Sequence, residues 1–208
     1  MKFDQIPFIV TLLLICSCGG SDKKIPEAKK DTLKTAAKAE PTKVQPDKKP
    51  PIINIVDTVQ PKKIVVYMKD SAATFERISY KLALIYGTKL TDYFKKNSLR
   101  SAGSPVAWIL SQKAPYYFEA GVPVNKKPTK QMSGIKVREV AADSVLLAHF
   151  YGPYDLLHVG YETLKDWLKD RHIHSSAPPY EIYITNPVDA KGKRMDPYRV
   201  QTDIVFPH

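Results

Sequence analysis

The chain has 208 residues, 43% hydrophobic and 25% charged, a balance that suits a folded protein of one domain or two small ones. Lys and Arg outnumber Asp and Glu 32 to 21, and a net charge of +11 raises the question of a nucleic-acid partner. Part of that excess lies before Lys63, and the remainder holds no Lys/Arg run longer than two. Tracking a phosphate backbone needs clustered cations, so the expectation is a basic linker with a solvated surface and no nucleic-acid partner.

At the start, Lys2 precedes an apolar run from Ile6 to Ile15, broken only by Pro7 and Thr11. It falls short of the roughly 20 residues that cross a bilayer but suits the core of a secretory signal. The run leads into Leu14-Ile15-Cys16-Ser17-Cys18-Gly19-Gly20. A small residue before a cysteine and a flexible pair after it resemble a lipobox. Ser17 precedes Cys18, whereas bulky Ile15 precedes Cys16, so Cys18 is the expected acylated residue and residues 1–17 the signal peptide. Both cysteines of the chain lie in this segment, which leaves the remainder without disulfide or thiol chemistry. The acyl chains of a lipoprotein, at roughly 0.8 kcal/mol per buried CH2, would hold the chain on a bacterial membrane in the cell envelope.

Residues 18–61 are rich in Lys, Pro, Ala, Thr, Asp and Glu and hold no aromatic residue. Too little apolar surface is available there to offset ordering entropy, so a disordered, fairly extended tether is expected. The exception is Ile52-Ile53-Asn54-Ile55-Val56, a strand or an apolar patch near the boundary. From Lys62 to His208 the texture is that of a domain. Ile64–Met68 is β-branched and apolar, as in a strand. Thr74–Asn97 has helical spacing, with Ile78, Leu82 and Ile85 on one line and Leu82, Tyr86, Leu90 and Phe94 on another, and Asp70 or Ser71 offers a cap. Two strand-like runs follow, Pro105–Ser111 and Tyr116–Val124, with a turn near Gln112-Lys113.

That order then repeats. Ile135–Glu139 and Ser144–Tyr151 are expected strands, and Gly152-Pro153-Tyr154-Asp155 opens a helix to about Arg171. The helix carries Leu157, Tyr161, Leu164 and Leu168 on one face, and Gly160 allows close approach to a sheet. Pro178–Thr185 and Tyr198–Phe206 close the pattern. Two strand-helix-strand-strand units predict an α+β fold: an antiparallel sheet with both helices on one face, the other face open or folded over a cleft.

The pieces Gly152-Pro153-Tyr154, Gly160-Tyr161-Glu162-Thr163-Leu164, Trp167-Leu168, Pro178-Pro179-Tyr180-Glu181-Ile182-Tyr183 and Thr202-Asp203-Ile204-Val205-Phe206-Pro207 resemble the second half of a GyrI-like effector-binding domain. Ile85-Tyr86-Gly87, Tyr93-Phe94, Asn97 and Phe118-Glu119-Ala120-Gly121-Val122-Pro123-Val124 resemble its first half. The resemblance runs from Lys62 to the end and implies a duplicated fold, also called SHS2-type, with a cleft for small hydrophobic or cationic ligands. In the multidrug-sensing regulators that share it, a helix-turn-helix module precedes the domain. Here the signal and tether stand in that place, so transcriptional regulation is not expected to carry over.

Strand alternation puts Tyr180, Ile182 and Ile184 on one face and Glu181 and Tyr183 on the other. If the isoleucines meet the helices, Glu181 faces a cleft beside an aromatic ring, an arrangement suited to a lipophilic cation. In the resembled family the carboxylate matching Glu181 contributes to ligand recognition. The alternative is a structural glutamate paired with Arg199 or another cation. Tyr117 alternates with Phe118 and Trp108 with Ile109, so one member of each pair faces away from the helices. Trp108, Tyr117 and Tyr151, the last near a strand end, are the further ligand-binding candidates. Glu119 is a second candidate acid or a structural residue, and Tyr86 and Trp167 are expected in the core. His172 and His174 lie in a loop without partners at ligand spacing, and no metal or cofactor is expected. Two functions compete: binding without chemistry, and hydrolysis of small electrophilic compounds with Glu181 as general base.

Overall fold

The computed structural model of the protein describes residues 49–111 and 113–208. The expected signal peptide, Cys18, the tether as far as residue 48 and Gln112 lie outside the described residues.

Eight strands form one sheet: β1 (Ile52–Gln60), β2 (Lys63–Ala72), β3 (Val106–Ile109), β4 (Tyr116–Val124), β5 (Ile135–Val140), β6 (Asp143–Tyr151), β7 (Tyr180–Tyr183) and β8 (Gln201–Pro207). Their order is β1-β6-β8-β7-β3-β4-β2-β5, and every neighbouring pair is antiparallel. The first helical run comprises α1 (Phe75–Leu84), a π-helical stretch (Ile85–Lys89) and α2 (Leu90–Asn97). The second is α3 (Leu157–Asp170), led in by a short 3-10 turn (Tyr154–Leu156). Two copies of strand-helix-strand-strand are therefore present, β2-α1/α2-β3-β4 and β6-α3-β7-β8, and they meet at the β3–β7 seam. The expected α+β class is the observed one.

Each helical run buries the stripe its spacing laid down. Ile78, Leu82, Ile85, Leu90 and Tyr93 pack with Val66, Phe118, Ala120 and Val122 of the first half-sheet. The π stretch keeps Ile85 and Leu90, five residues apart, on one face. Leu157, Leu164 and Leu168 pack on Leu146, Ala148, Phe150 and Ile204 of the second half-sheet. A Cβ on Gly160 would fall 2.5 Å from Ile204 Cδ1 and 3.3 Å from Phe150 Cδ2, so the bare backbone is what lets α3 settle this low. Capping differs from expectation. Thr74 is the N-cap residue of α1, because β2 runs on to Ala72. Asp70 instead accepts from Lys81 Nζ at 2.6 Å.

Much of the face away from the helices is covered rather than open. Val65 and Tyr67 of β2, Val106 and Trp108 of β3, Val145 and Leu147 of β6, Tyr180 and Val205 form one buried cluster. β2 and β6 stand far apart in the strand order, so the sheet curls until its ends pack together on that side. The links between β1 and β2 and between β5 and β6 are two residues each, which forces the strand runs to cross from one end of the sheet to the other.

The boundary placed at residue 61 is also corrected. β1 lies inside the stretch assigned to the tether and pairs with the whole of β6, from Ile52 opposite Tyr151 to Gln60 opposite Asp143. Its Ile53 and Ile55 pack against the α3 core. Without β1, β6 would be an edge strand with unpaired backbone groups.

Candidate functional site

Two glutamates are buried to 2% exposure, Glu119 and Glu181, and their surroundings differ. Glu119 on β4 lies on the face away from the helices. Lys69 Nζ stands 2.7 Å from its Oε1, and Arg138 bonds its Oε2. The Arg138 guanidinium lies over Tyr67 and Trp108, 4.7 and 4.6 Å from the ring centroids. Burial pushes the Glu119 carboxyl up, but Lys69 and Arg138 more than offset it and leave it below the usual range. Its charge is neutralised within the fold, so the structural alternative is the one that fits Glu119.

Glu181 on β7 has no cation bonded to it among the described residues. Arg199, the counter-ion considered from sequence, makes no ion pair with it. Its Oε2 accepts from Tyr183 at 2.6 Å and from Tyr154 at 3.0 Å, and its Oε1 from Tyr161 at 3.1 Å. Tyr154 comes from the 3-10 turn, Tyr161 from the second turn of α3 and Tyr183 from the same strand. Burial raises the Glu181 carboxyl above its ordinary pKa, and the three phenol bonds, Tyr183 first, offset only part of that. Burial and then the Glu181 charge push Tyr154, Tyr161 and Tyr183 well above the usual tyrosine range, so all three stay protonated donors.

Further rings extend the site across both halves. Phe75, at the start of α1, stacks on Tyr154 at 5.3 Å and meets Tyr116 edge-on at 6.2 Å. Tyr86, on the π stretch, lies 6.1 Å from Tyr183 and donates its hydroxyl to Val106 O at 2.8 Å. Ala107 of β3 stands directly opposite Glu181 and is fully buried, a small side chain beside the carboxylate. The result is a carboxyl group at the seam of the two halves, under half-buried tyrosine rings.

Glu181 and Tyr183 share a face, as alternation requires, but it is the helix face. The sequence-based choice put the isoleucines there. Tyr180 is buried on the other side against Trp108, with ring centroids 5.3 Å apart, and Ile182 packs beside that cluster. Trp108, Tyr117 and Tyr151 do turn away from the helices, so they stand on the opposite side of the sheet from Glu181. Trp108 is filled core, 5% exposed, and Tyr117 is exposed. Tyr151 donates to Gln201 Oε1 at 2.8 Å, next to a His149 Nδ1–Asp203 Oδ1 contact of 2.8 Å. Trp167 packs partly against the α3 core with Arg171 over its ring at 3.8 Å. Tyr86, expected in the core, packs partly against the first-half core and also borders the site. Tyr154 and Tyr161 were not among the sequence-derived site residues. Both sit at helical positions where an inward tyrosine reads as core, and only the hydroxyl of each marks it as more. Among the described residues no group of three or more His, Cys, Asp or Glu is placed to hold a metal.

No family model and no curated protein sequence matches the chain. Solved structures do. The EcmrR C-terminal domain superposes with a TM-score of 0.63 at 20% identity, covering 75% of this chain and 97% of that one. EcmrR in its complex with DNA gives 0.62 at 21% identity over 74% of this chain, which spans 57% of the longer one. SAV2435 bound to tetraphenylphosphonium gives 0.48 at 11% identity, over 75% of this chain and 93% of that one. The fold is the GyrI-like one. At these identities the likeness is one of fold, and the chemistry of the site rests on this chain's own residues.

Proposed function

We propose that this domain binds a small lipophilic cation at the seam between its halves, with Glu181 as countercharge and Tyr154, Tyr161, Tyr183, Tyr86 and Phe75 as the aromatic wall. The observation that carries this reading is the unneutralised buried carboxylate. A buried anion without a cation is costly, and the contrast with Glu119 shows what the same fold does when it neutralises one internally. A diffuse cation entering the seam supplies the missing charge, and each ring it contacts adds about 0.5–2 kcal/mol of cation–π attraction.

The test is thermal stabilisation of the full chain by tetraphenylphosphonium against triphenylphosphine oxide, a neutral compound with similar rings. The cation should raise the midpoint, and Glu181→Gln should weaken its binding at least about tenfold, or 1.4 kcal/mol. Equal response to both compounds, or an unaffected variant, rejects a charge-selective site.

The raised carboxyl of Glu181 favours a second reading, hydrolysis of a small electrophilic compound with Glu181 as general base. Conversion of such a compound by the full chain, lost in Glu181→Gln, would establish it in place of simple binding.

The domain is proposed to work in the cell envelope as a lipoprotein acylated at Cys18. Support comes from the short apolar run and the small residue before that cysteine. The intact protein should fractionate with membranes and carry diacylglycerol on Cys18 by mass spectrometry. A Cys18→Ala chain that still fractionates with membranes would overturn the assignment.

A further inference from the structure

A second uncompensated charge lies at another part of the molecule. A groove of about 600 Å3 opens where the β1–β2 link meets the ends of β3, β4 and β7. That volume falls in the range of small-molecule sites, roughly 300–1,000 Å3. Val106, Ile182 and Ile184 supply apolar wall, and the last is 43% exposed. Its polar lining comes from Lys62, Lys63, Ser104 and Asn125, and no lining residue is acidic.

The two lysines differ. Lys62 Nζ is paired with Glu139 at 2.7 Å. Lys63 makes no ion pair among the described residues. Its Nζ donates to Gln60 Oε1 at 2.6 Å and to the Tyr180 hydroxyl at 3.4 Å, both neutral acceptors. The ammonium also lies 5.4 Å from the Tyr180 ring centroid. Burial pushes the Lys63 pKa down, as befits a half-buried cation with no carboxylate beside it.

We propose that this groove is a binding site for a small organic anion with an apolar body, of the aliphatic monocarboxylate class. Lys63 is its countercharge, and Val106, Ile182 and Ile184 receive the chain. The site is independent of Glu181, since Val106 and Ile182 face away from the helices and the two charges call for ligands of opposite sign.

Backbone amide shifts of Val106, Ile182 and Ile184 in the isotope-labelled full chain provide the test, with octanoate, octan-1-ol and octylammonium as probes. Octanoate should shift these amides saturably, and the alcohol and the ammonium should bind at least tenfold more weakly. Lys63→Gln should weaken octanoate at least tenfold, and Lys63→Arg should largely retain it. Should Lys63→Gln fail to fold, Ile184→Glu places an acid at an exposed point of the groove and should repel octanoate similarly. Equal binding of octanoate and octanol would show an indifferent apolar groove and overturn the proposal. So would shifts confined to the tyrosines around Glu181, or no shift at all.

Discussion

Glu181→Gln is expected to make the folded domain more stable than the wild type, by a margin that widens as the pH rises. Burial raises the Glu181 carboxyl in the folded state, whereas in the unfolded chain it titrates near the ordinary value of about 4.3. Between those two values the folded state holds the proton that the unfolded state has released. Stability from this group is therefore fully present below the unfolded pKa and is lost as the pH climbs through the folded one. Glutamine is neutral throughout and can still accept from the tyrosines through its carbonyl, so it escapes that loss. Asp70, Glu76, Glu119 and Glu139 shift the other way, below their ordinary values, and weaken the fold on acidification. They are common to both proteins and cancel in the difference. Urea unfolding of the two chains at intervals from pH 4 to 8 measures it. A constant difference, or one that narrows with pH, would mean that Glu181 is not held as a strained anion, and the cation-site reading would lose its basis.

Gly121→Ala should cost about 3 kcal/mol, at the upper end of what overpacking usually exacts, and lower the melting temperature by roughly 10 °C. Gly121 sits in mid-β4, between Val106 of β3 and Tyr67 of β2. A Cβ there would lie 2.7 Å from both Tyr67 Cβ and Val65 Cγ1, and 2.8 Å from Val66 O. None of these is the free end of a long side chain. One is a Cβ on the backbone of the paired strand, one a backbone oxygen and one the methyl of a fully buried valine, so relief demands that β2 move. β2 is held between β4 and β5 and contributes Val65 and Tyr67 to the core where the curled sheet closes. Gly87→Ala is the control. Nothing lies within 4 Å of its added carbon, and replacing a helical glycine by alanine should be neutral or favourable by up to about 1 kcal/mol. Matching melting temperatures for Gly121→Ala and wild type would show that the sheet is less tightly coiled than described.

Local pattern was enough for the order of elements, the buried stripes of both helical runs and the duplicated unit. The reason is physical: a 3.6-residue or two-residue repeat of apolar side chains has few ways to bury itself. Alternation also placed Glu181 with Tyr183, and one member of each pair Trp108/Ile109 and Tyr117/Phe118 away from the helices. It could not say which set on β7 faces the helices, because both faces of this sheet are covered. Tyr180 is as well packed on the curled side as Glu181 is on the helix side, and an apolar side chain suits either place. The curl itself comes from two-residue links that join opposite ends of the sheet, a constraint visible only once the pairing is known. β1 is similar. Its apolar residues stand in a polar, proline-rich setting, and its place in the domain is decided by the open edge of β6. The site is the most tertiary feature of all. Tyr154 and Tyr161 precede Glu181 by 27 and 20 residues, and each alone is an ordinary core tyrosine. Only the docking of α3 on the sheet brings their hydroxyls to one carboxylate, and the lack of a bonded cation among the described residues is what makes this glutamate a candidate site.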